Sequence, residues 1–232
     1  MVVALSAAGG TISLLIGAVL LRLTFTGTYS RYVRVGMGPW LAVAGVAVFL
    51  LGLATLLRAL RRSRATDADV HDHGANRVGW LLLAPIAALL LVAPPTLGSY
   101  GVGRGATVDV RAGAPIFDDL RAGTQPVPMT LLEFGQRAFE RGGASFNGAE
   151  LELTGFVAET EDDGFELARY QIACCAADAA PVVVRVTGVF GGVPQRDRWV
   201  TVTGVFQPAG DGFPHLAATS VLEIPPPNDP YE

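Results

Sequence analysis

Three uncharged apolar runs, residues 2–21, 38–57 and 78–97, constrain this chain more than any other feature. Each is about 20 residues long, the length an α-helix needs to cross roughly 30 Å of hydrocarbon. The first run has no basic segment before it and no small-residue cleavage site after it, so it reads as a retained helix and not as a secretory signal. Small residues at Ala7, Ala8, Gly9, Gly10 and Gly17 would let a second helix approach closely, and Gly45 and Gly52 fall on one face of the second run. Pro39 sits in the first turn of that run, where its missing N–H costs little. Pro94 and Pro95 end the third.

Charge sets the expected orientation. Residues 58–77, RALRRSRATDADVHDHGANR, carry five arginines against three aspartates, whereas the connector 22–37 carries three arginines. The positive-inside rule then makes 58–77 a cytoplasmic linker and puts everything after residue 97 outside. Tyr29, Tyr32 and Trp40 are placed for an interfacial aromatic belt. Residues 1–97 carry a net +5 and residues 98–232 a net −9, which together make the −4 of the whole chain. An acidic second half argues against nucleic acid as a partner, because phosphate neutralisation needs clustered Arg or Lys.

Residues 98–128 read as a tether. Thr130 followed by Glu133 is a capping-box pattern, and Leu131, Leu132, Phe134, Ala138 and Phe139 line one side of a short helix that Gly142 and Gly143 stop. From Glu150 the period changes to two. Five segments, beginning near residues 150, 165, 181, 198 and 214, are separated by glycine turns, and the third is apolar enough to be buried on both faces. The expected fold is therefore a membrane α-helical N-terminal half plus an all-β C-terminal domain, 129–232, a five-stranded OB-like barrel with one preceding short helix.

Two cysteines cannot make a disulfide framework. Cys174 and Cys175 are adjacent, and in a regular strand they would face opposite ways. Where the strand ends, a turn can bring Cys175 and Asp178 to one side, with the distant His215 as a third donor and Cys174 facing the barrel interior. That makes a candidate thiolate–carboxylate–imidazole site for a divalent or thiophilic metal ion. A pair of plain core cysteines and a vicinal disulfide remain the alternatives. His71 and His73, framing Asp72 in the linker, form a second, weaker metal pattern. No nucleophile–base pair or phosphate loop is visible, so the chain is not expected to be an enzyme.

The set Tyr32, Gly36-Met37-Gly38-Pro39-Trp40, His71 with His73, Pro94-Pro95 and, above all, Cys174-Cys175-Ala176-Ala177-Asp178-Ala179 resembles the YcgQ-like family of bacterial membrane proteins described as permease subunits. The resemblance implies a multispanning permease as partner and the inner (plasma) membrane as location, with the C-terminal domain extracytoplasmic. The expectation is an accessory subunit whose β domain presents the Cys-Cys/Asp site to a solute or ion. Its rival is a structural or regulatory partner whose cysteines are core.

Overall fold

A computed structural model of the chain describes residues 2–63 and 96–232, apart from 105–106, 112–115, 122, 190, 209 and 211. The chain divides into two compact units, Met1–Pro95 and Thr96–Glu232. The linker histidines and all but the last two residues of the third apolar run lie outside the described residues.

In the first unit, α1 (Val2–Phe25) and α2 (Gly38–Ser63) are joined by a connector with two short 3-10 turns. Both helices outrun their uncharged cores, because leucine, alanine and arginine all favour helix and nothing breaks it. α1 ends two residues before Gly27, whose φ of 71° is left-handed. Thr24 and Thr26 donate their hydroxyls to the Leu20 and Arg22 carbonyls in its last turns. The helices pack antiparallel through glycine. A Cβ on Gly17 would lie 2.5 Å from the Phe49 nitrogen, and one on Gly52 would lie 2.5 Å from the Leu14 nitrogen. Gly10 and Gly45 are comparably close to Leu56 and to Leu20 and Leu21, while Gly9 meets no neighbour. The close approach expected of Gly10 and Gly17 is thus present and that expected of Gly9 is not, while Gly45 and Gly52, which share a face of α2, are where α1 meets it. Of the three expected spans, one described stretch, Val35–Arg61, is long and apolar enough to cross a membrane, with a mean hydropathy of 2.4; Gly9–Phe25 is a shorter apolar helix.

The described residues of the second unit form a six-stranded sheet with one α-helix: β1 (Val127–Pro128), α3 (Leu131–Phe139), β2 (Glu150–Glu161), β3 (Gly164–Gln171), β4 (Ala180–Thr187), β5 (Trp199–Gln207) and β6 (His215–Ile224). The five expected strands form close to their expected bounds. The sixth, β1, is a two-residue strand parallel to Leu151–Glu152 and too short to carry a period. The order is β1-β2-β3-β4-β6-β5, and β2 also pairs with β5 from Glu150↔Val205 to Phe156↔Trp199, so each of the five long strands has two neighbours among the other four, and β2 has β1 as a third. The β4–β6 contact is parallel and the other pairings among these five are antiparallel.

Alternation explains what is buried. Leu151, Leu153, Val157, Leu167, Val184, Val200 and Leu216 turn to one face and enclose a core with Leu131 and Phe134 of α3. Their neighbours Phe156, Ala168, Tyr170 and Trp199 turn the other way, where they build a second cluster with Ile172 and Tyr231. Double-sided burial therefore belongs to parts of β2, β3 and β5 and, in β4, where it was expected throughout, to Pro181 and Val182 alone; Val183 and Arg185 are half-buried.

α3 begins as its sequence predicts: the Thr130 hydroxyl accepts the Glu133 N–H at 3.0 Å. Glu133 does not complete the box; its carboxylate takes the Arg137 guanidinium at 2.8 Å instead. The helix gives way to left-handed backbone at Arg141, Gly142 and Gly143, with φ of 47°, 64° and 80°. The described part of the stretch expected as a tether is bonded into this unit. Ser99 N–H donates to Asp197 at 2.7 Å, Tyr170 Oη to the Gly98 carbonyl at 3.0 Å, and Leu120 N–H to the Ser145 carbonyl at 2.8 Å.

Candidate functional site

The cysteines lie in the connection between β3 and β4, where Gln171↔Ala180 is the last pair of the ladder. Both ends of this loop are fixed. Ile172 is buried, and its N–H donates to the Glu232 carbonyl at 3.2 Å; Glu232 N–H returns a bond to the Tyr170 carbonyl at 2.9 Å. The tail thereby runs parallel to the end of β3 at Tyr170↔Tyr231. Ile172 is the last residue on the β3 side bonded to this tail among the described residues, and after it the chain turns.

Asp178 shapes the turn. Its Oδ1 accepts the Ala173 N–H at 2.9 Å, and its Oδ2 accepts those of Cys174 at 2.9 Å and Cys175 at 3.4 Å. A one-turn 3-10 helix, Ala176–Asp178, follows with Cys175 as its N-cap. The Cys175 sulfur accepts the Asp178 N–H while the Asp178 carboxylate accepts the Cys175 N–H, a reciprocal capping box built with a thiol. The Cys-x-x-Asp spacing that suggested convergent ligands is also the spacing of this box.

The consequence is that both sulfurs sit on one side, 3.6 Å apart. They and an Asp178 carboxylate oxygen all lie within 4.8 Å of one another. Cys174 and Asp178 are exposed and Cys175 is half-buried. Hydrogen bonding sets the electrostatics. The Cys174 thiol donates to Asp178, which holds its proton and raises it to about 11, with Cys175 adding to the effect. The same bond, with the three backbone N–H groups, holds the Asp178 carboxyl down to about 2.

Three expectations are corrected here. Cys174 does not face the interior, because strand alternation stops at Gln171, three residues before it. Neither cysteine belongs to the core, so the core-cysteine alternative loses its basis. His215 does not join the group: it opens β6 opposite Arg185, five positions along β4 from Ala180, which is about 16 Å of strand. His71 and His73 lie outside the described residues. What the sequence reading missed is the tail, Tyr231 and Glu232, which anchors the loop from some 60 residues away and leaves no local signal.

Two sulfurs and a carboxylate on an exposed, braced turn make a donor set for a thiophilic cation. Residues 10–103 match the DUF1980 N-terminal domain and residues 138–232 match the DUF1980 C-terminal domain, whose match takes in the whole cysteine turn. No curated protein matches the chain.

Proposed function

From a chain that carries both DUF1980 domains in order, and so belongs to the DUF1980 family, we infer an accessory subunit of a multispanning bacterial permease. The helical half sits in the inner membrane as a multi-pass anchor, and the β domain stands on the extracytoplasmic side. That domain is an OB-like barrel: the ring β2-β3-β4-β6-β5, returning to β2 with a parallel β4–β6 contact, supports this reading. The barrel presents Cys174, Cys175 and Asp178 to a passing solute or ion and performs no catalysis of its own.

The observation that carries the proposal is the convergence of two thiols and a carboxylate on the exposed side of a turn. A free thiol with no task is normally buried as a small hydrophobe, and here neither one is. The resemblance carried by residues 174–179 supports the permease partner.

The test is to purify the tagged full chain from membranes in mild detergent and identify what accompanies it. A multispanning protein recovered in fixed ratio supports the subunit reading, and a chain recovered alone sinks it. A Cys174→Ser, Cys175→Ser double variant should keep the partner while changing the metal content of the cells. If metal content stays the same, the chain is a structural partner and the site has no part in transport.

A further inference from the structure

We propose that Cys174, Cys175 and Asp178 bind one thiophilic divalent cation of the zinc class, as three chain ligands with the fourth position left to water or to a ligand from a partner. The proposal rests on the reading of this turn as a site that meets an ion, but not on the permease.

Geometry carries it. Two metal–sulfur bonds of about 2.3 Å at the tetrahedral angle put their sulfurs about 3.8 Å apart. Cys174 and Cys175 already hold theirs at 3.6 Å. A vicinal disulfide needs about 2.0 Å, in a strained ring, so the pair is set for an ion rather than for a bond. The third donor is also in range, since all three ligand atoms lie within 4.8 Å. Asp178 Oδ1 accepts a single backbone N–H, from Ala173, and retains a lone pair, whereas Oδ2 accepts two.

The turn is ordered before any ion arrives. Three backbone N–H groups fix the carboxylate, and the Asp178 N–H fixes the Cys175 sulfur. Little ordering entropy then remains to be lost on binding. Two sulfurs select against Mg2+ and Ca2+, which take oxygen ligands. The exposure selects against a structural role: structural zinc sites close with four protein ligands, while among the described residues three come together here, two of them exposed. An ion held this way can be passed on. Binding moves no electrons; each thiol gives its proton to solvent as its sulfur bonds the ion.

The experiment titrates the reduced full chain in detergent with Cd2+ and follows sulfur-to-cadmium charge-transfer absorbance, a band that His71 and His73 cannot produce. One Cd2+ per chain with the amplitude of two thiolates is expected, with Zn2+ displacing it one for one and excess Mg2+ leaving it unchanged. Cys174→Ser and Cys175→Ser should each lose half the amplitude, and the double variant should lose all of it. Asp178→Asn, with its circular dichroism unchanged, should keep the band and weaken binding about 10- to 100-fold. No band, one ion shared by two chains, full amplitude in Cys174→Ser, or unchanged affinity in Asp178→Asn would each overturn the site. Because Cys174 is exposed, its serine variant does not depend on a core that has to repack. A chain that binds Cd2+ this way but brings no permease leaves the site standing and removes only the subunit reading; the reverse result removes only the site.

Discussion

The backbone N–H of Leu131 donates to the Glu232 carboxylate at 3.0 Å, across 101 residues of sequence. Leu132 N–H adds a second bond at 3.4 Å, and Glu133 N–H goes to Thr130, so the first three amides of α3 are all satisfied. The carboxylate also accepts from Gln171 Nε2 at 3.0 Å and lies 3.8 Å from Arg169. One side chain thus joins the helix, the end of β3 and the tail.

Burial pushes the Glu232 carboxyl above its ordinary 4.5, with the amide bonds and Arg169 opposing the rise. A carboxyl raised in the folded state favours folding most fully below 4.5, and that contribution is lost as pH rises through the raised value. Melting of the β unit should therefore decline over that window in the wild type and decline less in Glu232→Gln, which stays neutral. Glu166, also raised by burial, is present in both proteins, so the difference between them is the readout. Glu232→Ala should cost about 1–2 kcal/mol by stripping the cap from α3. A melting temperature unchanged by Glu232→Ala would mean that the tail does not hold the helix.

Cys174 should be a slow nucleophile. With its thiol held up to about 11, the rate of iodoacetamide alkylation at Cys174 should climb about tenfold per pH unit until it levels there. Asp178→Asn should bring that plateau to lower pH. Peptide mapping after timed alkylation measures both, and a wild-type plateau already reached at the ordinary thiol value of 9.0 would contradict the Cys174–Asp178 bond. Asp178 behaves in the opposite sense: its carboxyl is held down to about 2, so what it adds to the turn is present above its ordinary 3.8 and is lost as pH falls toward 2.

The helical hairpin predicts a cross-link. A Cβ on Gly45 would lie 3.2 Å from the Leu20 Cβ, near the separation that disulfides span. In a background lacking Cys174 and Cys175, Leu20→Cys with Gly45→Cys should oxidise within one chain and run faster on a non-reducing gel. Adding Gly52→Leu should prevent it, because that side chain would meet the Leu14 backbone. A disulfide that forms equally well when Gly52→Leu is added would show that the helices do not need the glycine contact.

The proposed topology is tested in the same cysteine-free background. An impermeant thiol label on intact cells should reach a cysteine placed at Asn228 and spare one placed at Ser63. The reverse pattern would invert the chain in the membrane.

How much of this was legible follows from how far each signal reaches along the chain. Alternation of Leu151 and Leu153 with Glu150 and Glu152 is a period of two within a few residues, and it located β2 as similar patterns located the other long strands. Thr130 and Glu133 are three apart, and that was enough to mark where α3 begins. Gly10, Gly17, Gly45 and Gly52 marked the contact faces of α1 and α2, because a missing Cβ is itself the feature that permits contact. Other features have no local form. Which way Cys174 points depends on where β3 stops, and β3 stops where the tail at Tyr231 and Glu232 ends its pairing. The distance of His215 from the cysteines depends on the β4–β6 register, and the burial of Trp199 and Tyr170 depends on residues far along the chain that cover them. The sequence by itself determined the elements, since periodicity and caps act over one to four residues. Only the tertiary structure decided that two thiols meet one carboxylate on an open face, because that requires a loop bent by Asp178 and anchored by Tyr231 and Glu232, some 60 residues away.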